Sequence, residues 1–333
     1  MQFGQLRRRE FITLISGAVA WPMAARAQQG ERVRRLGIIT GAAAEESETK
    51  ARIAAFLQEL KHLGWDEGRN IRIEMRATAG NAGAARKYAA ELVAFAPDVI
   101  LALGGSQVGP LLEATHTVPI VFTITADPVG NGLVDSLARP SGNATGFMIF
   151  DYSLTGKWLE LLKEIAPSVT RAAVLRDPAF PAGIGQLAVI QILAPPLRLD
   201  VSAINVRDAR EIERAVATFA RLANGGLVAT ASPGTVIHRD LIVALADRHK
   251  LPAVYWEGTA VSNGGLISYG PDLIDQHRQA ASYIDRVLKD EKPADLPVQA
   301  PNKYELAINL KTAKALGLIV SPALLARADK VIE

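Results

Sequence analysis

The chain has 333 residues, a formal net charge of +3 and no cysteine. The missing cysteine excludes disulfides, thiolate metal sites, a cysteine nucleophile and a lipid anchor attached through an N-terminal cysteine. The charge is confined to one end: Arg7, Arg8, Arg9 and Arg26 against Glu10 put all of the excess in the first 27 residues.

Those residues read as an export signal. The basic run turns at Phe11 into an apolar stretch that ends near Ala25 and is interrupted by Ser16, Gly17 and Pro22. It is shorter than the roughly 20 residues a bilayer span needs. Ala25-x-Ala27 supplies the small residues of a cleavage point, so a mature start at Gln28 is expected. Arg8-Arg9-Glu10-Phe11-Ile12 has the form of a twin-arginine signal, with Sec export and a cytosolic amphipathic helix as alternatives. Without the signal the chain is neutral, which removes the case for nucleic-acid binding. No later apolar run reaches about 18 residues, so no stable membrane insertion of the mature chain is expected. The expected location is the periplasm. The remaining length favours two domains over one core.

From there short apolar runs alternate with amphipathic helices. Strands are expected near 36, 71, 99, 120 and 145, and again near 172, 200, 227, 253 and 266. Runs such as Val99-Ile100-Leu101-Ala102-Leu103 and Ala172-Ala173-Val174-Leu175 do not alternate polar with apolar, as in parallel strands buried on both faces. A helical stripe over Ile53, Phe56, Leu57, Leu60 and Leu63 ends at Gly64. A second over Trp158, Leu161, Leu162 and Ile165 ends before Pro167, and a third takes in Ile212, Ala215, Val216, Phe219 and Leu222. The pattern predicts an α/β fold of two doubly wound parallel sheets flanked by helices.

The two sets meet at the polar connection Phe150 to Gly156. A long helix over Asp272 to Asp290 and the segment with Pro293, Pro297 and Pro301 then break the pattern. Tyr304 to Leu310 is expected to return as an edge strand of the second unit. The expected limits are a signal over 1–27, one lobe over 28–149 with 270–292, a second over 150–269 with 293–325, and a tail over 326–333 assigned to neither.

Several stretches carry a family resemblance: Pro97-Asp98-Val99-Ile100-Leu101, Val118-Pro119-Ile120-Val121-Phe122, Asp127-Pro128-Val129-Gly130, Leu137-Ala138-Arg139-Pro140, Gly142-Asn143-Ala144-Thr145-Gly146 and Asn309-Leu310-Lys311-Thr312-Ala313. In these the chain resembles the ABC transporter substrate-binding proteins, a branch with tryptophan-binding members. The resemblance implies a two-lobed type I periplasmic-binding-protein fold with three crossings between lobes. It also implies capture of a small solute by hinge closure, delivery to the membrane permease of an ABC importer, and no enzymatic activity. A monomer is expected.

Ligands of open parallel sheets sit outside the carboxyl ends of the strands. Two facing lobes would bring Gly41, Gly105, Ser106, Gln107 and Asp127 to one wall, and Asp177, Phe180, Ser232 and Trp256 to the other, with Tyr152 and Tyr269 near the crossings. Ser106 either adds a hydroxyl or only caps its helix. Asp127 and Asp177, each before a proline, either accept from a ligand or close Asx turns. The aromatic residues either stack on a flat ligand or pack inside a lobe. Gly104-Gly105-Ser106-Gln107-Val108 misses the last glycine of a nucleophile elbow, and the dinucleotide fingerprint fails as well. The five histidines form no zinc pattern, so neither a metal nor a cofactor is expected. An exported α/β enzyme and a ligand-sensing module for a sensor kinase stand as alternatives. For the ligand, the resemblance points to an amino acid or an aromatic or other small carboxylate. The resemblance implies a polar Asp/Asn-rich loop after the third strand of the second lobe; here Thr230-Ala231-Ser232-Pro233-Gly234 offers no carboxylate for an ammonium, which argues against an α-amino acid and leaves an aromatic or other small carboxylate, or an uncharged solute, open.

Overall fold

The computed structural model describes residues 32–333 apart from Ala44, Asp151, Ser153 and Phe180. The expected export signal, its twin-arginine pair and the Gln28 start lie outside the described residues, as does the position expected of Phe180.

The first lobe is built from β1 (Arg34–Thr40), α1 (Ser47–His62), β2 (Ile71–Ala77), α2 (Ala82–Ala94), β3 (Val99–Leu103), α3 (Val108–Ala114), β4 (Ile120–Thr125) and β5 (Ala144–Met148). Its strands pair in parallel in the order β2-β1-β3-β4-β5. The second lobe opens with α4 (Leu154–Ile165), β6 (Arg171–Arg176), α5 (Pro181–Leu193), β7 (Asp200–Asn205), α6 (Ala209–Phe219) and β8 (Gly225–Ala229). It continues through α7 (Pro233–Ile237), α8 (Arg239–Arg248), β9 (Ala253–Tyr255), α9 (Gly258–Ser262) and β10 (Ile267–Pro271). Every residue of β3, β5 and β8 is buried, as expected where helices cover both faces of a sheet.

The chain then crosses back. α10 (Leu273–Leu288) packs Ala280, Ile284 and Leu288 against Leu36, Ile38, Phe56 and Leu60 of the first lobe. It returns to the second lobe as β11 (Tyr304–Asn309), α11 (Leu310–Ala315), α12 (Pro322–Leu325) and β12 (Lys330–Ile332). The second sheet runs β12-β11-β10-β9-β8-β6-β7, and β11 and β12 run antiparallel to the rest of it. β11 is therefore not the edge strand expected of Tyr304 to Leu310. The last residues of the chain cover it, β12 pairing in parallel with Ala307 to Asn309. Its three residues are too few for a hydrophobic period to reveal.

Trp158 is fully buried at the centre of the second lobe, where its Nε1 donates to the carbonyl of Tyr269 at 2.7 Å. α6 stops at Phe219, short of the expected Leu222, which is 63% exposed. Arg171 explains the stop. Its guanidinium lies over the Phe219 ring, 4.5 Å from the centroid, and donates to the carbonyls of Phe219 and Leu222. At the other end Asp208 caps the helix, its Oδ1 accepting from the Glu211 amide at 2.9 Å. Asp208→Ala is expected to cost about 1 kcal/mol, a fall in Tm of roughly 2–4 °C in a thermal melt.

Candidate functional site

The carboxyl ends of the two sheets face each other across a cleft of about 690 Å³. The first lobe lines it with Thr40 and Gly41 after β1, Gly104 to Ser106 after β3, and Ile124 and Ala126 at the end of β4. The second contributes Ala231 to Pro233 after β8, Val236 and Ile237 of α7, Arg239 at the start of α8, and Trp256 and Glu257 after β9. Glu46 and the first turns of α1, with Glu48, Thr49 and Arg52, also line the cleft, as does His277 of α10.

The lining has two characters. Ile124, Ala126, Ile149, Ala231 and Trp256 make an apolar portion. The rest is charged, with three carboxylates, Glu46, Glu48 and Glu257, against two guanidinium groups, Arg52 and Arg239. All but Glu46 form a chain across the cleft. Arg239 donates through Nε to Glu257 Oε1 at 2.7 Å and reaches Glu48 of the opposite lobe at 3.8 Å. Arg52 in turn holds Glu48 at 2.9 Å. Burial disfavours charge on Arg239, but Glu257 and Glu48 outweigh it and hold its pKa above the ordinary value. Burial raises the Glu257 carboxyl, with Arg239 and Arg52 pulling the other way. His277 is fully buried, and that burial presses its pKa down to about 3, so it faces the cleft neutral.

One lining residue is strained. Ile124 has φ 52°, a left-handed conformation that a β-branched side chain rarely adopts. It sits where the register of β4 against β5 shifts. Gln276 of α10 holds it there, its Oε1 accepting from the Ile124 amide at 3.0 Å and its Nε2 donating to the Met148 carbonyl at 2.8 Å.

Of the residues singled out in the sequence, Gly41, Gly105, Ser106, Ser232 and Trp256 line the cleft. A Cβ at Gly41 would lie 3.0 Å from Gln107 Nε2, a tight contact with that side chain. Gln107 itself is buried behind Ser106, to whose Oγ it donates at 2.9 Å, and its own Oε1 has no partner. Ser232 caps α7 in a capping box with Thr235.

The other four stand off the cleft lining. Asp127, with φ 43°, closes a turn by accepting from the Gly130 amide at 2.8 Å, and its Oδ2 accepts from Tyr152 at 2.9 Å. Tyr152 is spent on that bond and on packing against Gly185, so burial and then Asp127 raise its pKa. Asp177 accepts from the Ala179 amide at 3.0 Å, an Asx turn of its own. Tyr269 stacks on Tyr304, centroids 5.6 Å apart, and supplies the carbonyl that Trp158 binds. The sequence reading missed Glu46, Glu48, Arg52, Arg239 and His277. Each lies on or just before a helix, where a polar residue on a solvated face and one turned into a cleft look alike.

Comparison with known proteins agrees with this geometry. A tyrosine-binding protein of Clostridioides difficile is 26% identical over 263 residues, covering 79% of this chain and 75% of its own. The solved structure of an ABC domain from Streptococcus pneumonia in complex with L-Trp superposes with a TM-score of 0.83 at 23% identity, over 90% of this chain and 99% of that one. A conserved domain protein from Vibrio cholerae gives the same TM-score at 26% identity, over 90% and 100%. The fold is thus the two-lobed type I periplasmic-binding-protein fold, with three crossings between lobes. Among the described residues no helix is long and apolar enough to cross a membrane. The model of the ABC transporter substrate binding protein family matches residues 42–332, and the chain belongs to that family of extracytoplasmic solute-binding proteins, which are not enzymes and serve a transporter's permease.

Proposed function

We propose that this chain is the periplasmic solute-binding component of an ABC importer and that it captures an amino acid with an aromatic side chain. The observation that carries the reading is the two-part lining of the cleft. An α-amino acid brings an ammonium and a carboxylate to the charged portion, and its ring lies against Ile124, Ile149 and Trp256. A lone carboxylate fits less well, because the lining already carries one more negative group than positive. The loop 230–234 carries no carboxylate, but the cleft draws its carboxylates from Glu46, Glu48 and Glu257 instead. The names of a tyrosine-binding relative and of a neighbour solved with L-Trp support the same ligand class.

The protein acts as an exported monomer whose signal occupies residues 1–27. Its lobes, 28–149 with 270–292 and 150–269 with 293–325, close by hinge motion on a ligand that touches both walls. Thermal shift with L-tyrosine, L-tryptophan and L-phenylalanine, beside their des-amino acids, sugars and nucleosides, tests the ligand class. An aromatic amino acid at 100 times its Kd should add about 2.7 kcal/mol to the stability of the folded form. A response to sugars or nucleosides alone would sink the reading.

A further inference from the structure

Glu257 is the most deeply set carboxylate of the cleft, its side chain 7% exposed. It directly follows Trp256, so the carboxylate and the indole leave one strand end onto the same wall. Arg239 donates to Oε1, and Oε2 accepts no hydrogen bond from the described residues. The other two carboxylates are placed differently. Glu48 is taken by Arg52 at 2.9 Å and approached by Arg239, and Glu46 accepts from the Thr49 hydroxyl at 3.3 Å. Glu257 thus brings to the cleft wall a buried carboxyl oxygen that accepts no hydrogen bond from the described residues.

We propose that Oε2 of Glu257 receives the ligand's α-ammonium and that Arg239 is the positioning residue that aims it. This rests on the amino-acid reading above and names the residue that discriminates an amino acid from its des-amino counterpart. A charge-assisted hydrogen bond in a dry cleft is among the stronger polar contacts a protein makes. Arg239 has two tasks. Its bond to Oε1 fixes the rotation of the carboxylate, and its charge opposes the rise in pKa that burial imposes on Glu257. A protonated Glu257 would present a donor to an ammonium, and recognition would fail. Arg239 also reaches Glu48 of the first lobe, so the oxygen is aimed most firmly when the lobes are together.

Calorimetry with L-tryptophan and with indolepropionate, its des-amino counterpart, tests this. Wild-type protein should prefer L-tryptophan, and Glu257→Gln should weaken L-tryptophan binding by about 10- to 100-fold while leaving indolepropionate unchanged or tighter. Arg239→Gln should lose the preference too, and Arg239→Lys should keep most of it. Glu257→Asp, which retains the charge on a shorter arm, covers the case in which Glu257→Gln fails to fold, and should weaken L-tryptophan selectively. Wild-type protein that binds L-tryptophan together with an unaltered preference in the folded variants overturns the assignment of Glu257 alone. Wild-type protein that binds no amino acid overturns both the assignment and the amino-acid reading.

Discussion

Gly270→Ala should destabilise the protein by about 3 kcal/mol and weaken ligand binding at the same time. Gly270 lies in β10 against the segment that carries the cleft wall. A Cβ there would sit 1.7 Å from the carbonyl oxygen of Trp256 and 2.9 Å from its carbonyl carbon. Both atoms are backbone, so no rotamer change relieves the clash. Either β10 leaves its place between β9 and β11, or Trp256 and Glu257 move. Gly258 is the control, since a Cβ there meets nothing within 4 Å and Gly258→Ala should be close to neutral. Urea denaturation and calorimetry on both variants give the comparison. A Gly270→Ala protein as stable as Gly258→Ala would mean that the contact is absent in solution.

Stability should also fall steeply in acid through one imidazole. His277 is fully buried, with Nδ1 2.6 Å from the Leu273 carbonyl and Nε2 3.4 Å from the Thr123 hydroxyl. The Nδ1–H donates to the carbonyl, which leaves Nε2 to accept from Thr123. Burial, with a lesser contribution from Arg52, presses the pKa down to about 3 against the pull of the Leu273 carbonyl. An unfolded histidine titrates near 6.5. Above about pH 6.5 both states are neutral and the native advantage is complete. Between there and about pH 3 the unfolded chain takes a proton that the native state refuses, at a loss of roughly 1.4 kcal/mol per pH unit. By pH 3.5 that amounts to about 4 kcal/mol. Denaturation of wild type and His277→Gln at pH 7, 5.5 and 4 isolates the effect from that of the carboxylates. The variant should start less stable and lose less, and parallel pH profiles would show that His277 is protonated in the folded protein.

How much of this could be read in advance follows from what each residue has to satisfy. Val99 to Leu103 was legible as a strand because a run buried on both faces must be apolar throughout. Ser106, Ser232 and Trp256 were legible as cleft residues because a doubly wound sheet fixes which strand ends face the ligand. Asp127 and Asp177 stood at the right ends but are satisfied by their own turns, and a single sequence does not tell an Asx turn from a ligand contact. The link from Arg239 to Glu48 joins the start of one helix to the first turn of another in the opposite lobe, so no local spacing announces it. Ile124 runs against expectation, since its left-handed backbone depends on Gln276, a residue that arrives only with α10.

That late arrival bears on how the molecule is made. The first lobe is encoded almost whole before residue 149, yet Leu36, Phe56 and Leu60 are covered by Ala280 and Ile284 of α10. During synthesis the early sheet must wait with one face unsealed until nearly the entire polypeptide has left the ribosome. A nascent chain halted near residue 270 would hold a complete β1 to β5 and still lack its cover, a species for a chaperone to shield. A contiguous N-terminal fragment would lack that cover, and a ribosome-stalling series should show the N-terminal half acquiring protease resistance only once α10 has emerged.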